Sequence, residues 1–313
     1  MGYVLKTFDL TKKFKHKAAV DGANMTVYEG DIYGFVGENG SGKTTLIRLI
    51  CGLIHPDGGS FELFGVSSAD KKITEARRKT GAIVESPSIF RNMSATENLR
   101  QQCILLGIEP NAEIIESTLA SVGLGALVGE KKAAGDFSLG MRQRLGIAMA
   151  LLGSPKLILL DEPMNGLDPV GIVEVRELIL RLNRERGITF IISSHILTEL
   201  SLVANRYGII SEGRIIKEIS AEDLHDMFGK ITTLKATDSE GAYKIATTCV
   251  PEENVRLDGD CIRISGEVDL NALFSRVIDS GNRILEVNCS ETSFEEYYLS
   301  ISGGRNNAKS AQS

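Results

Sequence analysis

The most definite chemistry in this chain belongs to a lysine and a threonine that close a glycine-rich octet, Gly37-Glu38-Asn39-Gly40-Ser41-Gly42-Lys43-Thr44. The octet fits G-x-x-x-x-G-K-[ST], a loop that binds the phosphates of a nucleoside triphosphate. Its glycines let the backbone curl so that successive N–H groups point inward at the phosphates. The N-terminus of a following helix adds partial positive charge. Lys43 brings a full charge to the β- and γ-phosphates, and the Thr44 hydroxyl can ligate Mg²⁺. A plain glycine turn before a helix requires neither residue at those places. The flanks agree: Ile32-Tyr33-Gly34-Phe35-Val36 reads as a buried strand, and the segment from Thr45 to Ile50 reads as the start of a helix. Candidate phosphate and nucleotide contacts are therefore Asn39, Gly40, Ser41, Gly42, Lys43, Thr44 and Thr45.

Three further constellations carry chemistry. Leu157-Ile158-Leu159-Leu160-Asp161-Glu162 is an apolar strand that ends in two carboxylates, and ligands gather at the carboxyl ends of strands in open α/β sheets. Asp161 is placed to hold the Mg²⁺ hydration shell, and Glu162 to polarise an attacking water. His195 follows a second apolar strand over 188–193, at the same edge as Asp161, which makes it a candidate γ-phosphate contact. Phe137-Ser138-Leu139-Gly140-Met141 opens a helix with a serine that can cap it and free N–H groups that face forward, a second anion site or simply a capped helix.

These groups need a scaffold. Residues 3–8 and 25–28 alternate as strands of a small antiparallel sheet. A Gly58-Gly59 turn leads to a short strand, Phe61-Glu62-Leu63-Phe64. From about 94 to 153 the apolar residues recur with helical period (Leu99, Cys103, Leu106; Ile114, Ile115, Leu119), which predicts an inserted helical subdomain. A helix is expected over about 170–186, between two buried strands. Buried strands alternating with helices predict a parallel sheet covered on both faces. After about residue 220 the pattern changes: short alternating segments over 231–264, a helix near 269–280 and a strand near 283–288 make a small α+β appendage. The polar residues from 304 on are expected to be disordered.

Composition limits the partners. The chain of 313 residues is 42% apolar and 24% charged, with net charge −6, which argues against a nucleic-acid partner held by general electrostatics. Five widely spaced cysteines (Cys51, Cys103, Cys249, Cys261, Cys289) form no C-x-x-C pair, and are expected to be buried reduced thiols. No apolar run is long enough to span a bilayer, so action at a membrane requires a partner.

Taken together, residues 3–219 resemble an ATP-binding cassette (ABC) subunit of a transporter. The resemblance implies an α/β P-loop NTPase cassette, with a mostly parallel core sheet, an antiparallel β subdomain and the inserted helical subdomain, followed here by the α+β appendage over 220–303. It also implies ATP and Mg²⁺ as ligands. Phe14 occupies the place of the family's adenine-stacking aromatic, with a packed core position as the alternative. Ser138 and Gly140 match the family's signature motif, whose first, third and fifth positions differ here. Asp168, in Gly166-Leu167-Asp168-Pro169, matches the dimer-contacting loop, and His195 the switch histidine. Glu85, in Gly81-Ala82-Ile83-Val84-Glu85-Ser86-Pro87, stands where the family normally has glutamine. A carboxylate there is a stronger Mg²⁺ ligand, tolerable beside Glu162 and the triphosphate only when the metal is present. Glu85 and the Phe-Ser-Leu-Gly-Met signature resemble the bacitracin-resistance and lantibiotic self-protection branch of the family. The family resemblance implies that the signature of one chain completes the site of another, and with Lys43, Glu162, His195 and the signature serine-glycine all present a homodimer would have two competent sites. It also implies integral membrane permease subunits received near 85–98, through exposed Phe90 and Met93, and a location on the cytoplasmic face of the membrane. A soluble cassette ATPase with a role in DNA repair or translation, and a generic exporter subunit, are the competing expectations.

Overall fold

Burial at every position marks the strands that carry the phosphate loop and the carboxylate pair. The computed structural model describes residues 2–15, 17–227, 230–266, 268–291 and 298, in two compact units, Met1–Ala221 and Glu222–Ser313. The first unit opens with β1 (Tyr3–Phe14), β2 (Lys17–Ala23), β3 (Thr26–Tyr28), β4 (Ile32–Val36), α1 (Lys43–Cys51), β5 (Gly58–Leu63), β6 (Val66–Ser67), α2 (Ile73–Arg77) and β7 (Thr80–Ile83). It continues through α3 (Ala95–Leu106), α4 (Ala112–Ser121), α5 (Leu139–Leu151), β8 (Leu157–Asp161), α6 (Pro169–Arg186), β9 (Thr189–Ser194), α7 (Leu197–Ser201), β10 (Arg206–Ser211) and β11 (Arg214–Ser220). Strands β4, β8 and β9 are buried throughout, as strands covered on both faces must be.

Six strands form the core sheet in the order β11-β10-β4-β9-β8-β7, and every pair except β10–β11 is parallel. A second sheet, of antiparallel strands β2-β1-β5-β6 with β3 also paired to β1, forms the β subdomain. One apolar cluster joins the two sheets around α1, whose Leu46, Ile47, Leu49 and Ile50 are all fully buried. Each such side chain contributes roughly 1.5–3 kcal/mol of burial, so the helix behind the phosphate loop is anchored on several sides. The helical subdomain α3–α5 lies between β7 and β8 in the chain. Helix α3 starts in a capping box of Ser94 and Glu97, and Gly107 in the left-handed conformation ends it.

The first unit departs from expectation at β2, which the sequence pattern does not predict, and at two further places. Gly58 and Gly59 do not form a separate turn but open β5. Gly59 has φ 70°, and a Cβ there would lie 2.2 Å from the Asp9 carbonyl oxygen, so glycine is needed where β5 crosses β1 closely. Met93 is only half-exposed, and its carbonyl accepts from Ala134 N–H and from Asn98 Nδ2.

The second unit contains β12 (Lys230–Ala236), α9 (Ser239–Cys249), β13 (Val255–Asp258), β14 (Cys261–Ser265), α10 (Leu270–Asp279) and β15 (Ile284–Glu291), and helix α8 (Ala221–Met227) spans the division between the two units. Its sheet runs β13-β14-β12-β15, antiparallel throughout, a β-α-β-β-α-β ferredoxin-like arrangement. Leu234, Ile262, Ile264, Ala242, Ala246, Leu273 and Val277 make its core. The alternating segments expected over 231–264 are interrupted by α9, which Asp238 caps through Gly241 N–H. Of the cysteines, Cys103 alone is fully buried, and Cys289 is exposed on edge strand β15. Burial pushes the Cys51 thiol up to about 12. The tail from residue 304 lies outside the described residues.

Candidate active site

Two glycines in the phosphate loop are demanded by what surrounds them. A Cβ at Gly37 would lie 2.5 Å from the Ile210 carbonyl oxygen, and one at Gly42, where φ is 114°, would lie 2.3 Å from the Ala19 carbonyl oxygen. The loop thus lies close against β10 and β2; Gly37 N–H donates to the Ser194 carbonyl and Ser41 N–H to the Glu38 carbonyl. Lys43 is almost wholly buried. Its Nζ donates to the Gly37 carbonyl at 2.6 Å and the Glu38 carbonyl at 3.1 Å, and stands 3.4 Å from Glu162 Oε1. The Ser41 hydroxyl is buried and has no hydrogen-bond partner. An orphaned hydroxyl, a lysine folded onto its own loop and a cradle closed to side chains all fit a phosphate chain as ligand.

Sheet order brings the other groups here. Strand β9 lies between β4 and β8, so the ends of all three meet. Thr44 Oγ1 donates to Asp161 Oδ2 at 2.7 Å, and Ser193 Oγ donates to Asp161 Oδ1 at 2.5 Å. Ser193 also accepts from Glu162 N–H, at 3.0 Å to its hydroxyl and 3.2 Å to its carbonyl. Glu162 sits at φ 50°, a left-handed conformation uncommon outside glycine and found at active sites. Its Oε2 is 2.8 Å from His195 Nδ1, while its buried Oε1 has no hydrogen-bond partner, only the ion pair with Lys43. The Thr44–Asp161 pair is a hydroxyl beside a buried carboxylate, a donor set that fits a hard cation shared with phosphate oxygens.

Sequence reasoning missed Ser193, Glu199 and Arg48. Ser193 is a fully buried hydroxyl at the end of an apolar strand, and that polarity was its one signal. Glu199, on α7, has its carboxyl pushed up by burial, with His195 opposing and Glu162 adding to the shift. Arg48, on α1, bears directly on Glu85.

The remaining expected residues are distributed as follows. Glu85 is not gathered with Thr44 and Asp161. It is exposed, and its Oε1 is 2.7 Å from Arg48 Nη2. The expectation that this carboxylate is tolerable only beside a metal is corrected by that guanidinium, which offsets its charge. Phe14 ends β1 with 49% of its surface exposed, so it is no core residue, and Lys12 Nζ lies over its ring, 5.6 Å from the centroid. Ser138 is exposed and caps α5, accepting from Met141 N–H at 3.2 Å. Asp168 is exposed and caps α6, accepting from Gly171 N–H at 3.0 Å. The two caps are neighbours, because a Cβ at Gly140 would meet Gly171 Cα at 3.7 Å. Among the described residues, no hydrogen bond or ion pair ties Ser138 to the phosphate loop of its own chain. A cavity of about 390 Å³ lies beside Glu85, lined among others by Arg77, Arg78, Ser86, Pro87, Leu106 and Met149.

Comparison with known proteins agrees with this geometry. Residues 20–165 match the family described as "ABC transporter". The chain is 42% identical over 310 residues to the bacitracin transport ATP-binding protein BcrA of Bacillus licheniformis, covering 97% of this chain and 99% of that one. It is 40% identical over 228 residues to the lantibiotic transport ATP-binding protein SrtF of Streptococcus pyogenes, covering 72% of this chain and 96% of that one. Among solved structures, the dimeric ATP-binding cassette MJ0796 in a post-hydrolysis state bound to ADP and Pi superposes with a TM-score of 0.62 at 25% identity, over 69% of this chain and 98% of that one.

Proposed function

The chain belongs to the ABC transporter family as an ATP-binding subunit whose ATP hydrolysis drives transport, and from that premise we propose that it powers the expulsion of a peptide antibiotic of the bacitracin type. One observation carries the substrate class. The likeness to the bacitracin subunit runs over 97% of the chain and so takes in most of the second unit, whereas the likeness to the lantibiotic subunit covers 72%. A lantibiotic substrate is the second reading, favoured by the carboxylate at Glu85.

The catalytic roles follow from the geometry. Lys43, the loop N–H groups and Ser41 hold the phosphates, and Phe14 stacks on adenine. Mg²⁺, when bound, neutralises charge on the phosphates; Thr44 and Asp161 are the residues to hold it, with Glu85 as a further ligand once it leaves Arg48. Glu162 accepts a proton from the water that attacks the γ-phosphorus, the bond to the β-γ bridging oxygen breaks, and ADP and phosphate result. His195 orients the Glu162 carboxylate through its Nδ1 contact. Ser138, exposed at the head of α5, and Gly140 just behind it complete the site of a second copy, with Asp168 beside them at the dimer contact.

No helix among the described residues is long and apolar enough to cross a membrane. Membrane permease subunits are therefore the transporting partners, and the subunit sits at the cytoplasmic face. The cavity beside Glu85 and the neighbouring exposed Phe90 suit a permease segment. The test is co-expression with the neighbouring permease genes in a sensitive bacterium. Protection against bacitracin that Glu162→Gln abolishes is the expected result. Protection against a lantibiotic alone selects the second reading, and protection against neither, with no membrane protein co-purifying, overturns both.

A further inference from the structure

Glu85 has a local geometry that the catalytic roles above do not explain. Ser86 N–H donates to the Val84 carbonyl at 2.8 Å across Glu85, and Glu85 itself has φ 63°. A three-residue turn with positive φ at its centre is rare and strained, the more so for a residue with a side chain. Such a conformation persists only when its surroundings hold it. The Glu85 side chain is tied by an ion pair, Oε1 to Arg48 Nη2 at 2.7 Å. Arg48 lies on α1, whose first residues are Lys43 and Thr44 of the phosphate loop and whose apolar face is wholly buried. One partner is thus fixed to the nucleotide site while the other sits on a strained turn. Two residues beyond Glu85, Pro87 packs against α5, the helix that Ser138 opens. A Cβ at Gly146 would meet Pro87 Cβ at 2.6 Å, so glycine there lets the segment close onto that helix.

We propose that Arg48 is a positioning residue that holds the Glu85 carboxylate away from the Thr44–Asp161 pair until a divalent cation competes for it. The inference rests on the reading of Glu85 as a metal ligand. Arg48 and the cation want the same carboxylate, so the ion pair sets how much metal is needed to recruit Glu85. Release of Arg48 also frees the strained turn to relax, and Pro87 with it. The pair is solvent-exposed, so its effect on binding is modest, about two- to five-fold. Arg48 meets the carboxylate through one charged contact, Nη2 to Oε1, so a lysine at that place keeps the charge, though not the planar group.

The experiment titrates Mn²⁺ into the full-length chain in the presence of ADP, with bound metal followed by electron spin resonance. Four proteins are compared: wild type, Arg48→Gln, Glu85→Gln and the double variant. Arg48→Gln is expected to tighten Mn²⁺ about two- to five-fold, and that gain is expected to vanish when Glu85→Gln is also present. In the metal-free protein, Arg48→Gln is expected to speed amide hydrogen exchange at Ser86, and Arg48→Lys to restore much of the protection. If Glu85→Gln changes the metal midpoint in neither Arg48 background, the reading of Glu85 as a ligand fails, and this inference with it. If Glu85→Gln weakens metal binding, yet Arg48→Gln shifts the midpoint equally with and without it, the inference alone is overturned. Unchanged Ser86 exchange in Arg48→Gln overturns the tether.

Discussion

Glu162 is held by more constraints than any other residue of the site. Its backbone N–H is clamped to Ser193, its Oε2 to His195, and its Oε1 is left with Lys43 alone. That carboxylate is oriented, with one oxygen buried, before any ligand arrives, which suits a general base. Glu162→Gln keeps the size and most of the contacts but cannot accept a proton. Its ATPase rate is expected to fall about 10²–10⁴-fold with ATP binding retained, as measured by steady-state phosphate release beside ATP retention on the purified chain. Ordinary turnover by that variant would remove Glu162 from the base role. These residues were legible in the sequence because their chemistry restricts the residue type: a phosphate cradle needs Gly42 and Lys43, and a strand end bearing Asp161 and Glu162 has few structural uses. Ser193 and Arg48 were illegible for the opposite reason. A serine at a strand end and an arginine on a helix have many uses, and only the order of β4, β9 and β8 and the turn at Glu85 assign theirs.

Among the elements, those with a single face or a single environment were readable and those with mixed demands were not. Strands β4, β8 and β9 read as near-continuous apolar runs because both of their faces are covered. Helix α9 was lost among strand signals because its sequence, Ser-Glu-Gly-Ala-Tyr-Lys-Ile-Ala-Thr-Thr-Cys, holds a glycine and β-branched residues of low helix propensity. It forms because Asp238 caps it and because small Ala242 and Ala246, one turn apart, pack into the core. Strand β2 was hidden by Asp21 and Gly22 and by the irregular register of its pairing with β1. Helix α3 is a case in which the element itself makes a prediction. Its capping box sets the Glu97 carboxylate on Ser94 N–H at 2.7 Å and on Ser94 Oγ at 2.9 Å. The backbone bond first, then the hydroxyl, lowers the carboxyl below its ordinary value. A carboxylate with a depressed folded-state pKa contributes stability that is present above the unfolded pKa and lost as pH falls through the folded one. Acid should therefore loosen the start of α3. Glu97→Gln is expected to be less stable than wild type near neutrality and to converge with it in acid, as read from thermal unfolding midpoints across that range. A constant gap down to low pH would show that the charge of Glu97 plays no part.

On the proposed reading, the site of a single chain is incomplete. Lys43, Thr44, Asp161, Glu162 and His195 converge at the carboxyl edge of the core sheet, while the head of α5 presents Ser138 to solvent with the Asp168 cap of α6 beside it. An exposed helix N-terminus with free N–H groups is an anion site in want of an anion, and a second copy related by a two-fold axis supplies one, since such an interface pairs the same two surfaces reciprocally. The prediction belongs to the assembled molecule. Lys43→Ala removes the phosphate lysine, Ser138→Arg blocks the signature serine, and each homodimer is expected to be inactive. Mixed and allowed to exchange, the two form heterodimers in which one site carries both lesions and the other carries none. With random pairing half of the dimers are mixed and half of their sites intact, so activity should return to about a quarter of the wild-type level at equal total protein. If the catalytic site were built within each chain, mixing would restore nothing, because every chain would keep its own lesion. Recovery that rises with total concentration, measured as phosphate release after mixing at a series of dilutions, would tie the activity to pairing of the chains.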